Sequence, residues 1–202
     1  MESPISDLHN NKQKILDVAA SLFAERGYDG VSVREIAEQA EVTKPVIYYY
    51  FKNKKDLHET LIQQAFLHAH RMHEDIFQAD APVNMKLRML MKAHFNFCKE
   101  NPDVIKILFD AIHQRVSDNQ FMKNPETKET ESEDIRRISD FIRLGQQQQI
   151  FKDTVDPMKV GMLFVGAMNI FILYQLQTKK AVLSDVVADE LIDIIMNGIS
   201  LN

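Results

Sequence analysis

The sequence predicts an all-α protein of about nine helices, with a small N-terminal unit of three helices and a larger helical remainder. Apolar residues recur every three or four positions through most of the chain, which is the period of one helix face. Six glycines and six prolines are few for 202 residues, and the alternation typical of strands is rare. Hydrophobic residues make up 45% and charged residues 26%, as in globular rather than disordered proteins.

The first predicted helix spans about residues 12–26, with one apolar face. Gly27 suits the left-handed position that commonly follows a helix end. A second, short helix is expected after Ser32, because Ser32 and Glu35 have the spacing of a capping box. In that motif each side chain accepts a hydrogen bond from the backbone N–H of the other residue.

The third predicted helix spans about 44–51 and follows the second after a tight turn. Thr43 is a suitable N-cap residue. Pro45 fits a first helical turn, where its missing N–H has no partner to lose. Asn53 is expected to cap a long fourth helix over about 54–79.

Five more helices are predicted from the same capping and periodicity signals, with Asn84, Asn101, Asp156 and Ser184 as caps. The expected spans are about 84–99, 102 to at least 112, 130–149, 157–177 and 184–199, with a polar surface loop over 117–134. We expect two domains, 1–55 and 56–202.

Composition and simple motifs narrow the function and the compartment. The single cysteine, Cys98, excludes an intramolecular disulfide, and the first 14 residues lack the apolar core of a signal peptide, so we expect a cytoplasmic protein. Residues 160–176 carry no charge, but a buried interface helix explains them better than a membrane span. The sequence lacks a glycine-rich phosphate loop, a serine-centred elbow and paired carboxylates in an apolar setting, so we do not expect an enzyme.

The charge distribution singles out residues 42–55. The net charge of −5 argues against a general nucleic-acid binder, yet this segment has four lysines and no acid. On charge alone, a phosphate-binding stripe and a solvated lysine-rich turn are equally good interpretations.

Two short helices joined by a tight turn, behind a longer supporting helix, form the helix-turn-helix pattern. Tyr48, Tyr49 and Tyr50 are consecutive, so their side chains point about 100° apart on a helix and cannot all be core. An exposed phenol can hydrogen-bond a phosphate oxygen. The alternative, that all three only pack against neighbouring helices, is less compatible with the lysines beside them.

Residues 12–61 resemble the N-terminal domain of the TetR family of bacterial transcription regulators. The segments that carry the resemblance are Ile15–Ala19, Phe23, Gly27–Tyr28, Ser32–Ala37, Val42–Phe51 and Lys54–Leu57. The resemblance implies a sequence-specific DNA-binding regulator, commonly a repressor that a small ligand releases from its operator. A helical adaptor that has lost DNA binding is the alternative, and the lysine stripe and Tyr48 argue against it.

The resemblance also implies which residues meet DNA. Ser32 and Lys54 would bind phosphates, Arg34 a base or the backbone, and the start of the third helix the base edges. Pro45 departs from the glycine or alanine of many members. The expected DNA-binding residues are Ser32, Arg34, Thr43, Lys44, Pro45, Tyr48, Tyr49, Tyr50 and Lys54.

Past residue 61, only the number and length of the helices guide the interpretation. The resemblance implies a homodimer paired through the last two helices, a palindromic operator, and an effector pocket in the second domain. An apolar or aromatic effector is expected, because methionine and phenylalanine form adaptable apolar cavities, although for any single such residue plain core packing is the commoner role. The expected ligand-binding residues are Met89, Phe95, Phe109, Phe141, Phe164, Met168 and Phe171.

No cofactor and no metal are expected. His94 and Cys98 are four residues apart, so they share a helix face and could both ligate a metal, with His113 as a possible third ligand. Two ligands make a poor site, and isolated histidines and cysteines are more often structural.

Overall fold

The computed structural model describes residues 4–117 and 125–201, and the side chains of 11–110 and 134–201. These residues form nine α-helices, with no strand among them beyond one bridge between Phe151 and Ser200. The helices are α1 (Pro4–Arg26), α2 (Val33–Gln39), α3 (Lys44–Tyr50), α4 (Lys54–Gln78), α5 (Val83–Glu100), α6 (Pro102–Ser117), α7 (Pro125–Gln147), α8 (Pro157–Thr178) and α9 (Asp185–Ile199). The predicted all-α class is confirmed.

The predicted caps are mostly confirmed. Side chains of Ser32, Asn53, Asp156 and Ser184 each accept a backbone N–H two or three residues further on, at 2.9–3.2 Å. Thr43 is the N-cap residue of α3, but its side chain makes no capping bond.

Three helix starts differ from the prediction. α1 begins at Pro4 instead of residue 12, and α7 begins at Pro125 instead of Thr130. Both extensions begin with a proline, which suits the first position of a helix. The α7 extension is polar and shows no apolar period, yet its glutamates and lysine propagate a helix. α5 begins at Val83 after Pro82, so Asn84 lies inside the first turn and is not the cap.

The described chain divides into two compact units. The first comprises residues 1–68 and 102–111, and the second comprises residues 69–101 and 112–202. The domain boundary expected at residue 55 stays a prediction, because a compact unit need not coincide with a segment that functions alone.

The first unit packs α1, α2, α3 and the start of α4 around one apolar core. Its largest fully buried side chains include Phe23, Ile36, Ile47, Phe51 and Leu57. Each comes from the apolar face of a different helix or helix end, so the core holds the short helices in place. The first part of α6 joins this unit, with Ile107 in the core and the Lys106 ammonium bonded to a carbonyl in the last turns of α1.

The second unit is held by close helix pairs. A side chain on Gly161 of α8 would meet the backbone oxygen of Ile135 at 2.9 Å, so glycine is what allows α7 and α8 to approach. On the other side, α5 is tied to α9 because Arg88 and Lys92 both bond the Asp189 carboxylate, at 2.7 and 2.8 Å.

Among the described residues, α8 is long and apolar enough to cross a membrane by length and composition. Its buried side chains recur at helical spacing and include Phe164, Met168 and Ile172. Leu163 and Ile170 are 60% and 58% exposed on the opposite side. α8 therefore packs one face within the second unit and leaves another apolar face uncovered.

Candidate DNA-binding site and effector site

The turn between α2 and α3 fixes the second short helix against the first. The N–H of Val42 donates to the carbonyl of Ala37 at 3.0 Å, and Glu41 takes a left-handed φ of 54° to make the bend. Ile36 and Ile47 are buried on facing sides of the two helices. The frame therefore has the tight turn and the apolar crossing that the helix-turn-helix pattern requires.

The start of α2 is a complete capping box. Ser32 Oγ accepts the N–H of Glu35 at 3.2 Å, and the N–H of Ser32 donates to Glu35 Oε2 at 2.8 Å. Hydrogen bonds from Ser32, together with Arg26 at 2.9 Å, lower the pKa of Glu35 to about 2. Ser32 remains exposed, so its hydroxyl proton can still be donated to an anion at the helix N-terminus.

One side of α3 is open and carries most of the predicted base-reading residues. Thr43, Lys44 and Pro45 are exposed at its start. Tyr48 and Tyr49 follow with 52% and 71% of their surface exposed, which agrees with the expectation that the consecutive tyrosines cannot all be core.

Tyr50 differs from its two neighbours. It is half-buried against the core of the first unit, and its ring lies 4.9 Å from that of Tyr49 in an edge-on arrangement. Tyr50 therefore supports Tyr49 from behind, and of the three phenols it has the least surface to offer DNA.

Two predicted cations are already paired. The Arg34 guanidinium bonds Glu38 at 2.7 Å, one turn along α2, but both side chains are largely exposed. Such a pair contributes little in water and can open for a better anion. Lys54 is held more firmly, because its ammonium donates to the carbonyls of Tyr28 and Val31 at 2.9 and 3.0 Å.

The Lys54 ammonium also lies 4.1 Å from the centre of the Tyr28 ring. Tyr28 in turn contacts the His58 ring at 4.9 Å. Lys54 thus ties the α1–α2 turn to the start of α4. An ammonium has three N–H donors, so one is left for a phosphate after two carbonyls are bonded.

Sequence reasoning left two lysines out of the predicted site. Lys52 and Lys55 are exposed beside Lys54, and Lys55 has only a 3.7 Å contact with Glu59. The acid-free run from residue 42 to 55 was the signal that could have included them. Lys52 and Lys55 add positive charge within a few residues of the end of α3.

Six of the seven predicted effector residues belong to the second compact unit. Phe95 and Phe171 come together, with ring centroids 6.3 Å apart, and Phe164 and Met168 are buried in the same unit. Phe109 belongs to the other compact unit.

Met89 is 37% exposed. The ring of Phe141 packs against that of Phe77, with centroids 5.1 Å apart. Phe77 and Phe141 line an open groove of about 290 Å³, together with Arg137, Asp140 and Leu144.

Cys98 is buried and His94 is half-buried, and the described residues contain no group of three side chains that could hold a metal ion. Burial raises the pKa of Cys98 to about 12 and lowers the pKa of His94 to about 4. A protonated thiol is a poor ligand, since metals bind the thiolate. The side chain of His113 lies outside the described residues.

Comparison with known proteins assigns the family. Residues 15–61 match the model of the bacterial regulatory proteins of the tetR family, and residues 82–193 match a tetracycline-repressor-like C-terminal domain. The chain belongs to the TetR family. This family consists of transcription regulators and not of enzymes. In this TetR-family member, the N-terminal and the C-terminal domain models each match a segment of the chain.

Curated relatives resemble this TetR-family chain mainly at its N-terminus. The negative transcriptional regulator IcaR of the biofilm operon icaADBC in Staphylococcus aureus is 40% identical over 55 residues, 27% of this chain and 30% of the relative. IcaR of Staphylococcus epidermidis is 32% identical over 92 residues, 44% of this chain and 50% of the relative. The match thus spans half or less of these relatives.

Solved structures match the TetR-family fold over nearly its whole length. The ketosteroid transcriptional regulator KstR2 of Mycobacterium tuberculosis has a TM-score of 0.78 at 19% identity, covering 95% of both chains. FadR of Bacillus subtilis, solved with stearoyl-CoA, has a TM-score of 0.68 at 23% identity, covering 92% of this chain and 98% of that one. Identities this low show the shared fold alone.

Proposed function

We propose that this protein is a cytoplasmic, sequence-specific repressor that binds palindromic operator DNA as a homodimer and leaves it when a small apolar ligand binds. The observation that carries the proposal is the exposed face of α3, where Lys44, Tyr48 and Tyr49 point into solvent while Ile47 anchors the helix from behind. A rigid helix that presents a cation and short polar groups at its N-terminus suits the major groove. No enzymatic activity is part of this proposal.

Repression and an apolar effector are supported by similar proteins. IcaR is named as a negative regulator. KstR2 is named for ketosteroids, and the FadR structure contains stearoyl-CoA. These ligands have large apolar parts, which agrees with the phenylalanines and methionines in the second unit of this chain.

The homodimer is supported by the uncovered side of α8 and α9. Leu163 and Ile170 on α8 are exposed, and so are Val186 and Ile194 on α9, at 66% and 69%. Monomeric soluble proteins rarely leave such apolar patches uncovered, so a second copy is the expected cover.

The DNA-binding proposal can be tested by selecting duplexes from a random library and measuring affinity for the enriched sequence. Lys44→Met is expected to weaken binding and change the preferred sequence. Lys52→Met should weaken all sequences alike and reduce the salt dependence. Lys99→Met, an exposed lysine on α5, serves as the control and should change neither. No enrichment with the wild-type protein, or equal loss from all three variants, would contradict the proposal.

The dimer is tested by sedimentation of Ile170→Asp beside Leu67→Asp, an apolar position on α4 that is 48% exposed against 58% for Ile170. The wild type and Leu67→Asp are expected to sediment at twice the mass of the chain, and Ile170→Asp at the mass of one chain. A wild-type protein that sediments as a monomer at micromolar concentration would contradict the assignment of this face.

A further inference from the structure

Two histidines in the second unit have ring nitrogens that are buried and lack a partner. His73 on α4 is 4% exposed and His94 on α5 is half-buried. His73 Nε2 and His94 Nδ1 are inaccessible to solvent, and no group of the described residues bonds to either. Buried polar atoms without a partner are uncommon and costly, so each needs an explanation.

The two rings are neighbours. Their centroids are 5.8 Å apart with an interplanar angle of 34°. The two unpartnered nitrogens therefore belong to adjacent rings.

Asp134 decides the tautomer of the His73 ring. His73 Nδ1 lies 3.1 Å from Asp134 Oδ1. A carboxylate only accepts hydrogen bonds, so the ring carries its proton on Nδ1, and in the neutral ring Nε2 is left as an acceptor. Carboxylates fix the ring orientation of binding histidines in the same way.

A neutral His94 ring can supply the complementary donor from Nδ1. Burial lowers the pKa of His94 to about 4, so its ring is neutral near pH 7 and has one N–H. With that proton on Nδ1, the pair offers one acceptor and one donor. A hydroxyl group matches both, since its O–H donates a hydrogen bond to His73 Nε2 and its oxygen accepts one from His94 Nδ1. A carboxylate only accepts, and an ammonium only donates.

Besides Asp134, aromatic rings lie next to the pair. Phe77 lies one turn after His73 on α4, with ring centroids 6.2 Å apart. The residue after His94 is Phe95, which is fully buried against Phe171. A ligand bound here would place its polar group at the two histidines and its apolar part beside aromatic rings.

We propose that His73 and His94 are the polar anchor of the effector site and select an apolar ligand that carries a hydroxyl group. This inference rests on the proposed function, because it takes the second unit to be the effector domain. It specifies an apolar alcohol or phenol within the broader class of apolar effectors.

The test uses two matched probe pairs, dodecan-1-ol with its methyl ether, and 2-naphthol with 2-methoxynaphthalene. Each pair differs only in the hydroxyl proton and a methyl group. In calorimetric titrations of the wild-type protein, at least one hydroxyl probe is expected to bind about tenfold or more tightly than its ether, because the ether leaves an acceptor without a proton. Equal affinity within both pairs, or no binding of either hydroxyl probe, overturns the proposal.

Variants link the preference to the two rings. His73→Leu and His94→Leu should abolish the difference between hydroxyl probe and ether. His94→Asn should keep part of it, because an amide can both donate and accept. His70→Leu, at an exposed position of α4, is the control and should leave it unchanged. A hydroxyl preference that survives both leucine variants overturns the proposal.

Nitrogen NMR of histidine-labelled wild-type protein tests the same point without substitution. The ring signals of His73 and His94 should move when the hydroxyl probe is added and not with the ether. Unchanged signals with a bound hydroxyl probe would mean that an ordered water alone occupies the nitrogens, and would overturn the proposal. None of these measurements involves DNA, so a failure of ligand-induced release from the operator would count against the proposed function and not against this site.

Discussion

Replacing Lys54 with methionine should destabilise the first unit, although the substitution keeps the length of the side chain. The ammonium donates to the carbonyls of Tyr28 and Val31 at 2.9 and 3.0 Å, and it lies 4.1 Å from the Tyr28 ring centre. Methionine loses both hydrogen bonds and the cation–π contact. Bonds from a charged donor contribute about 1.5–3 kcal/mol each, but Lys54 is only half-buried and water can replace part of the loss, so we expect about 2 kcal/mol in total.

The matched control is Lys55→Met at the adjacent position. Lys55 is exposed and makes only a 3.7 Å contact with Glu59 within α4, so its loss should change stability by less than about 0.5 kcal/mol. Urea unfolding followed by circular dichroism measures both variants, and amide exchange in α1 and α2 locates the change. If the two variants differ by less than about 0.5 kcal/mol, the Lys54 contacts are not what stabilises the α1–α2 turn.

Three further predictions concern single positions. The capping box holds the pKa of Glu35 at about 2, so the stabilisation that the Glu35 carboxylate provides is complete above its unfolded pKa of about 4.3 and is lost as the pH falls through 2. Glu35→Gln should therefore flatten the decline of the thermal midpoint between about pH 4.3 and pH 2. An unchanged slope would contradict the assignment. Gly161→Ala should lower the free energy of unfolding by about 1–3 kcal/mol, because the new methyl group meets the Ile135 carbonyl oxygen at 2.9 Å. Gly166→Ala on the same helix meets no atom within 4 Å, so urea unfolding should show no loss of stability of the monomer. Burial raises the pKa of Cys98 to about 12, so Ellman's reagent should leave it unmodified at pH 8 until the protein is unfolded, and rapid native labelling would contradict this.

Local signals in the sequence predicted the first unit well. Pro45 marks the start of α3 through its own fixed backbone geometry. Ser32 with Glu35, and Asn53, mark helix starts through hydrogen bonds between residues three apart. Interactions of this kind depend little on the rest of the fold, so they can be inferred without knowing it. The exposed tyrosines also follow from helix geometry alone, since consecutive side chains cannot share one face.

The effector residues were harder to predict because their positions depend on contacts distant in sequence. Phe141 has the same composition signal as Phe95, yet Phe141 packs on Phe77 of α4 whereas Phe95 packs on Phe171 of α8. Periodicity identifies the buried face of a helix but not the helix that covers it.

The contacts of Lys54 and of His73 could not be predicted for the same reason. The partners of Lys54 are more than twenty residues away, and Asp134 is 61 positions from His73. The sequence therefore predicted Lys54 as an open phosphate-binding side chain, whereas two of its three donors are already bonded to carbonyls.

The tyrosines give the protein a built-in optical reporter. The chain has five tyrosines and no tryptophan, so no indole emission masks the phenols. Three of the five are consecutive on α3, and Tyr48 and Tyr49 are open to solvent. Ultraviolet fluorescence of the unlabelled protein should thus be dominated by the segment proposed to enter the major groove, and quenching on addition of a duplex would follow docking of that segment directly.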